Sequence, residues 1–170
     1  MSTPPTEDTS SDLTELRQAA LNDPGNGVLR YLLAAEMAHL QDYDGAVLEF
    51  SAAIALDPSL HIARLQLGLL QLTLARPDQT LAALAPLEGL ADGEPLKHFK
   101  RGLEALIHDE FTACLQSLQR GIELNTANPA LNRDMTLIIE RVRETLNASH
   151  APAAGEPVRT DFSRYGVTRH

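Results

Sequence analysis

The chain repeats itself at an offset of 34 residues, and this recurrence restricts the fold more than any other feature of the sequence. Laid on itself at that offset, LLAAEMAHLQDYDGAVLEFSAAIAL aligns with LGLLQLTLARPDQTLAALAPLEGL and then with RGLEALIHDEFTACLQSLQRGIEL. Small residues recur at Ala34, Gly68 and Gly102; in step with them come Ala46, Thr80 and Cys114, then Phe50, Leu84 and Leu118, then Leu56, Leu90 and Leu124. A period of this length marks a stack of supersecondary units, each of which buries its apolar face on its neighbours.

Within the first copy the reason for the small residues is steric. Two antiparallel helices approach closely only where side chains are small, and Ala34 on the first helix meets that need together with Ala46 and Ala53 on the second. Leu33, Met37, Phe50 and Leu56 fill the space beside them at helical spacing. Asp42-Tyr43-Asp44 supplies the turn and places acid at the start of the second helix, where the dipole favours it. Asp57-Pro58 closes the copy, because the residue before proline is pushed out of the helical region.

On these residues the chain resembles the tetratricopeptide repeat family, whose 34-residue helix-turn-helix unit carries small residues at its eighth, twentieth and twenty-seventh places; residues 27–60 fit it best. The implied fold is all-α, a right-handed superhelix of antiparallel helix pairs, in a small bacterial-type protein with about three repeats. The expected organisation is a disordered segment 1–11, a repeat domain 12–147 and a flexible tail 148–170. The domain comprises a half repeat 12–26, repeats 27–60, 61–94 and 95–128, and a capping helix 129–147, about eight helices around one core. The cap is amphipathic, with Leu131, Met135, Ile138, Ile139 and Val142 on one stripe and Arg133, Asp134, Glu140, Arg141 and Glu144 elsewhere.

The later copies depart from the family pattern. Pro77 suits a first helical turn, but Pro86 removes a backbone donor, so the helix should kink or end near Ala85. In the third copy Arg101 stands where the family has Leu and Thr126 replaces the closing Pro, which predicts looser packing there.

Function in this family resides on the concave face formed by the first helix of each pair. By position that face presents Val28, Tyr31, Ala35, Ala38 and His39, then Ile62, Leu65, Leu69 and Leu72, then Leu96, Phe99, Leu103 and Leu106. Relatives that clamp a chaperone's C-terminal carboxylate use Lys, Asn or Arg here. The matching places in this chain hold Tyr31, Ala35, Leu65, Leu69, Phe99 and Leu103, so the resemblance implies no such clamp. What it implies is an adaptor or scaffold with an apolar groove for a partner peptide or amphipathic helix. The alternative is a dedicated chaperone for a secreted or apolar partner, like the class II chaperones of type III secretion, which share its size and repeat number. Three further residues, Phe162, Tyr165 and Val167, form a candidate docking tail for the groove, and the groove equally suits a homodimer.

Composition removes other classes. A formal charge of -9 argues against a nucleic-acid partner, since phosphate binding needs clustered Lys and Arg. The one cysteine, Cys114, has no second thiol with which to form a disulfide or redox pair. Six His residues show no HExxH spacing, and GxxxxGK[ST], GxGxxG and GxSxG are absent, so no enzyme, metal or cofactor is expected. The start, MSTPPTEDTSSD, has neither a basic region nor an apolar stretch, and no run reaches the length of a membrane span; the expected location is cytoplasmic.

Overall fold

In the computed structural model of the protein residues 7–149 are described, with side chains from residue 12. Among them are eight α-helices and no strand: α1 (Glu7–Asn22), α2 (Gly27–His39), α3 (Tyr43–Leu56), α4 (His61–Thr73), α5 (Pro77–Leu84), α6 (Pro95–Ile107), α7 (Phe111–Leu124) and α8 (Pro129–Ser149), with a 3-10 segment, Ala85–Gly89, after α5. The fold is all-α and of the α-α superhelix class. Two bounds differ from expectation: α1 begins at Glu7, five residues before the Asp12 at which the half repeat was placed, and α8 runs on to Ser149.

The chain divides into two compact units, with the boundary between Leu67 and Gly68 inside α4. A single core was expected. Helical repeats contact mainly their sequence neighbours, so apolar burial is local to each pair and need not merge into one centre.

In the first unit α2 and α3 form the repeat pair. Asn26 caps α2 by accepting from the Val28 and Leu29 backbone N–H groups at 3.1 Å each, and Asp42 caps α3 by accepting from Gly45 N–H at 3.1 Å. Between the helices Ala34, Ala46 and Ala53 are fully buried beside Phe50, whose ring lies 6.1 Å from that of Tyr31 at a 46° tilt. Gly27 is equally close-packed, since a Cβ there would lie 3.1 Å from the Ala53 carbonyl oxygen.

The second unit reuses these columns with glycine. A Cβ on Gly68 would come within 2.6 Å of Leu84, and one on Gly102 would run into the side chain of Leu118. Phe99 likewise occupies the space over Gly121. Cys114 and Leu118 are fully buried, so the third copy is not loosely packed as expected: Arg101 turns outward to an acid, and glycines at 102 and 121 let α6 and α7 approach. Pro77 begins α5, and the helix gives way to the 3-10 segment at Ala85, as Pro86 requires. Leu131, Met135, Ile138, Ile139 and Val142 form the buried stripe of α8; Asp134, expected on its polar side, is also buried. Ahead of α8, Asn125, Asn128 and Asn132 tie the connection together. Asn125 Nδ2 donates to the Asn128 carbonyl and to Asn132 Oδ1 at 2.8 Å each, and Asn132 Nδ2 donates back to the Asn125 carbonyl at 2.9 Å.

A further repeat lies in the backbone. The N–H groups of Asp42, Arg76 and Glu110 donate to the carbonyls of Met37, Gln71 and Ala105 at 2.8, 2.9 and 2.8 Å. The residue before each donor is left-handed: Gln41 at φ 65°, Ala75 at φ 55° and Asp109 at φ 58°. This is the helix-ending turn that usually takes glycine, here built three times, in register, without one.

Candidate interaction surface

The residues expected to line an open groove divide by burial. Leu65, Leu69, Leu72, Phe99, Leu103 and Leu106 are fully buried and present no surface to a partner. On α6 the cause is visible: Phe99, Leu103 and Leu106 follow the i, i+4, i+7 stripe of the helix, and Phe99 packs over Gly121 of α7. They are the packing residues of a pair. Ile62 and Leu96 are half-buried. Phe162, Tyr165 and Val167 lie outside the described residues.

The α2 positions remain available. Val28 is 50% exposed and His39 is exposed, while Tyr31, Ala35 and Ala38 are half-buried. Burial raises the Tyr31 phenol above its usual range. Sequence reasoning missed Leu32, which is 42% exposed and sits one turn after Val28. Val28, Leu32, Ala35 and His39 share one face of α2 at steps of four, three and four residues. The signal was that same spacing, and it was passed over because the family pattern directs attention to the neighbouring positions.

Next to this stripe is a shallow cleft of about 430 Å³ between α1 and α2, lined by Asp12, Glu15, Leu16, Ala19 and Glu36. Three of its five residues are carboxylates, and among the described residues no cation is paired with any of them. Glu36 Oε1 is shielded from solvent and has no donor within hydrogen-bonding reach. The whole stretch 1–67 has ten acidic side chains against three Arg. Arg30 is already engaged, at 2.9 Å from Glu49.

The acids of the second unit are arranged differently. Glu88 accepts from Arg101 at 2.6 Å and from Lys100 at 3.1 Å. These hydrogen bonds, Arg101's first, pull its carboxyl down to about 2. Lys97 reaches Asp92 at 2.9 Å and the Leu90 carbonyl at 2.8 Å. Burial works against the Lys100 ammonium, but hydrogen bonds to Glu104, at 2.6 Å, and to Glu88 outweigh it and raise its pKa. The cations of α6 thus hold the 3-10 segment and the loop that follows it. His98 and Arg101, which share a face of α6, both serve this loop: His98 Nε2 lies 2.7 Å from the Asp92 carbonyl oxygen.

For chemistry the described residues offer little. Cys114 is buried, and desolvation pushes its thiol up to about 12, far from a reactive thiolate. No group of three or more His, Cys, Asp or Glu among the described residues is arranged to hold a metal ion. No described helix is long and apolar enough to cross a membrane.

No family model and no curated protein sequence matches the chain. Solved structures do. MamA residues 41 to the end from Desulfovibrio magneticus RS-1 superimposes with a TM-score of 0.57 at 17% identity, covering 86% of this chain and 89% of that one. A MamA RS-1 ArsTM double mutant superimposes with a TM-score of 0.56 at 16% identity, covering 85% and 88%. At these identities the likeness is one of fold, and the fold is that of tetratricopeptide-like helix pairs.

Proposed function

We propose that this chain is a cytoplasmic protein-interaction module of the tetratricopeptide repeat kind, a scaffold without chemistry of its own, which receives a segment of a protein partner on the outer face of α2. The observation that carries this reading is the exposed stripe of Val28, Leu32, Ala35 and His39 beside an acidic cleft. Two large aliphatic side chains one turn apart and open to water are the anchors that an amphipathic helix or extended segment covers, and uncompensated carboxylates beside them favour a partner bearing Lys or Arg. The likeness of fold to MamA supports the architecture only.

Replacing Val28 and Leu32 singly by Glu tests it. Partners captured from the native cell by the unchanged chain are lost with Val28→Glu and Leu32→Glu, and are retained with Leu137→Glu, which alters an exposed leucine on α8. Retention in all three folded variants overturns the assignment of this face.

A further inference from the structure

The same face has an occupant within the sequence. We propose that residues 159–169 of this chain dock on the α1–α2 face of their own molecule, competing there with outside partners; this rests on the reading of that face given above. The segment reads RTDFSRYGVTR: Arg159, Arg164 and Arg169 recur at five-residue intervals, with Phe162, Tyr165 and Val167 between them and one acid, Asp161. It combines apolar and cationic groups, which is the complement of what the face presents: Val28 and Leu32 exposed, and Asp12, Glu15 and Glu36 around a cleft floored by Leu16 and Ala19.

Charge selects this segment over the rest of the molecule. Residues 68–149 have eleven acidic and eight basic side chains, and the cations of α6 are already committed to Glu88, Asp92 and Glu104. Residues 159–169, with three Arg against one Asp, are the stretch in which positive charge and aromatic rings coincide. An Arg guanidinium presents several donors in a fork that fits carboxylates, and Glu36 Oε1, shielded and without a donor, is an acceptor for one. Two copies of the face repel each other through the same carboxylates, which disfavours a second molecule packing face to face. A tethered segment acts at an effective concentration of order mM, well above that of the same segment on a separate molecule.

Paramagnetic broadening in the full-length chain tests this. Ser163→Cys takes a nitroxide, while native Cys114, buried and with its thiol pushed up to about 12, stays unlabelled. In a ¹⁵N chain carrying the label, amide signals of Leu16, Ala19, Leu32 and Glu36 fall by more than half, and those of α7 do not. About 1 M salt, where the screening length is ~3 Å, restores much of the lost intensity. So does Glu15→Gln combined with Glu36→Gln; the salt arm needs no variant to fold. Mixing a labelled ¹⁴N chain with an unlabelled ¹⁵N chain gives no broadening. Loss of signal absent from α1 and α2, or appearing only in the mixed sample, overturns the proposal, the second result naming another copy as the occupant. If the labelled segment leaves the face untouched while Val28→Glu still abolishes partner capture, the docking face stands and the internal occupant falls. Broadening on the face with partner capture unaffected by Val28→Glu means the reverse.

Discussion

The two units solve the same packing problem and treat their acids in opposite ways. Both place small residues where helices touch, alanine at 34, 46 and 53 in the first and glycine at 68, 102 and 121 in the second. Around this common core the second unit binds Glu88, Asp92 and Glu104 to the Lys and Arg of α6, whereas the first leaves Asp12, Glu15 and Glu36 facing one cleft without a cation. Paired acids fasten a segment that proline has broken. Unpaired acids create a field that an incoming positive group relieves. Charge placement therefore separates scaffold from docking surface within one repeated architecture.

The largest test of the shared half of this comparison is to empty the two cores. Phe50→Ala and Phe99→Ala each remove a ring that is 1% and 0% exposed respectively, and each should cost about 3–5 kcal/mol by urea denaturation. A much smaller loss in either would mean that its unit is not held by that ring.

The contrast in charge predicts opposite signs for two similar substitutions. Glu88→Gln leaves the Lys100 ammonium half-served and should destabilise by about 1 kcal/mol, a figure kept low because Glu88 is itself half-exposed. With a folded pKa of about 2 against an ordinary 4.5, the stabilisation from Glu88 is complete above pH 4.5 and is lost as the pH falls toward 2. The variant's stability should thus be flatter than the parent's across that acid window. Glu36→Gln, by relieving repulsion within the cleft, should stabilise by a few tenths of a kcal/mol at low salt and less as salt rises. A destabilised Glu36→Gln would show that a donor does serve that carboxylate.

Between these two effects lies a property of the backbone. Ala75 is left-handed at φ 55°, and Ala75→Gly should stabilise by about 1 kcal/mol or less, the relief of strain being offset by greater freedom in the unfolded chain. Thermal denaturation decides the sign.

The 34-residue period, the helix pairs and the break at Pro86 were legible because each follows from a residue type at a fixed spacing. Three things were not. The left-handed turn at Gln41, Ala75 and Asp109 carries no glycine, so no residue type announces it. Leu69 and Leu103 read as groove because apolar character alone does not tell a helix face turned to a partner from one turned to its own hairpin mate; Leu118 against Gly102 shows which applies on α6. The Glu88 network depends on a 3-10 segment that returns the chain to α6, and charges 12 and 13 residues apart reveal no such return.

The three left-handed turns have a practical consequence. Each sits at the tip of a hairpin, its geometry is fixed by main-chain hydrogen bonds, and Gln41, Ala75 and Asp109 all face solvent. These tips are where a short peptide tag or a reporter domain can be inserted at the least cost to the helices on either side, giving three regularly spaced attachment points along the chain.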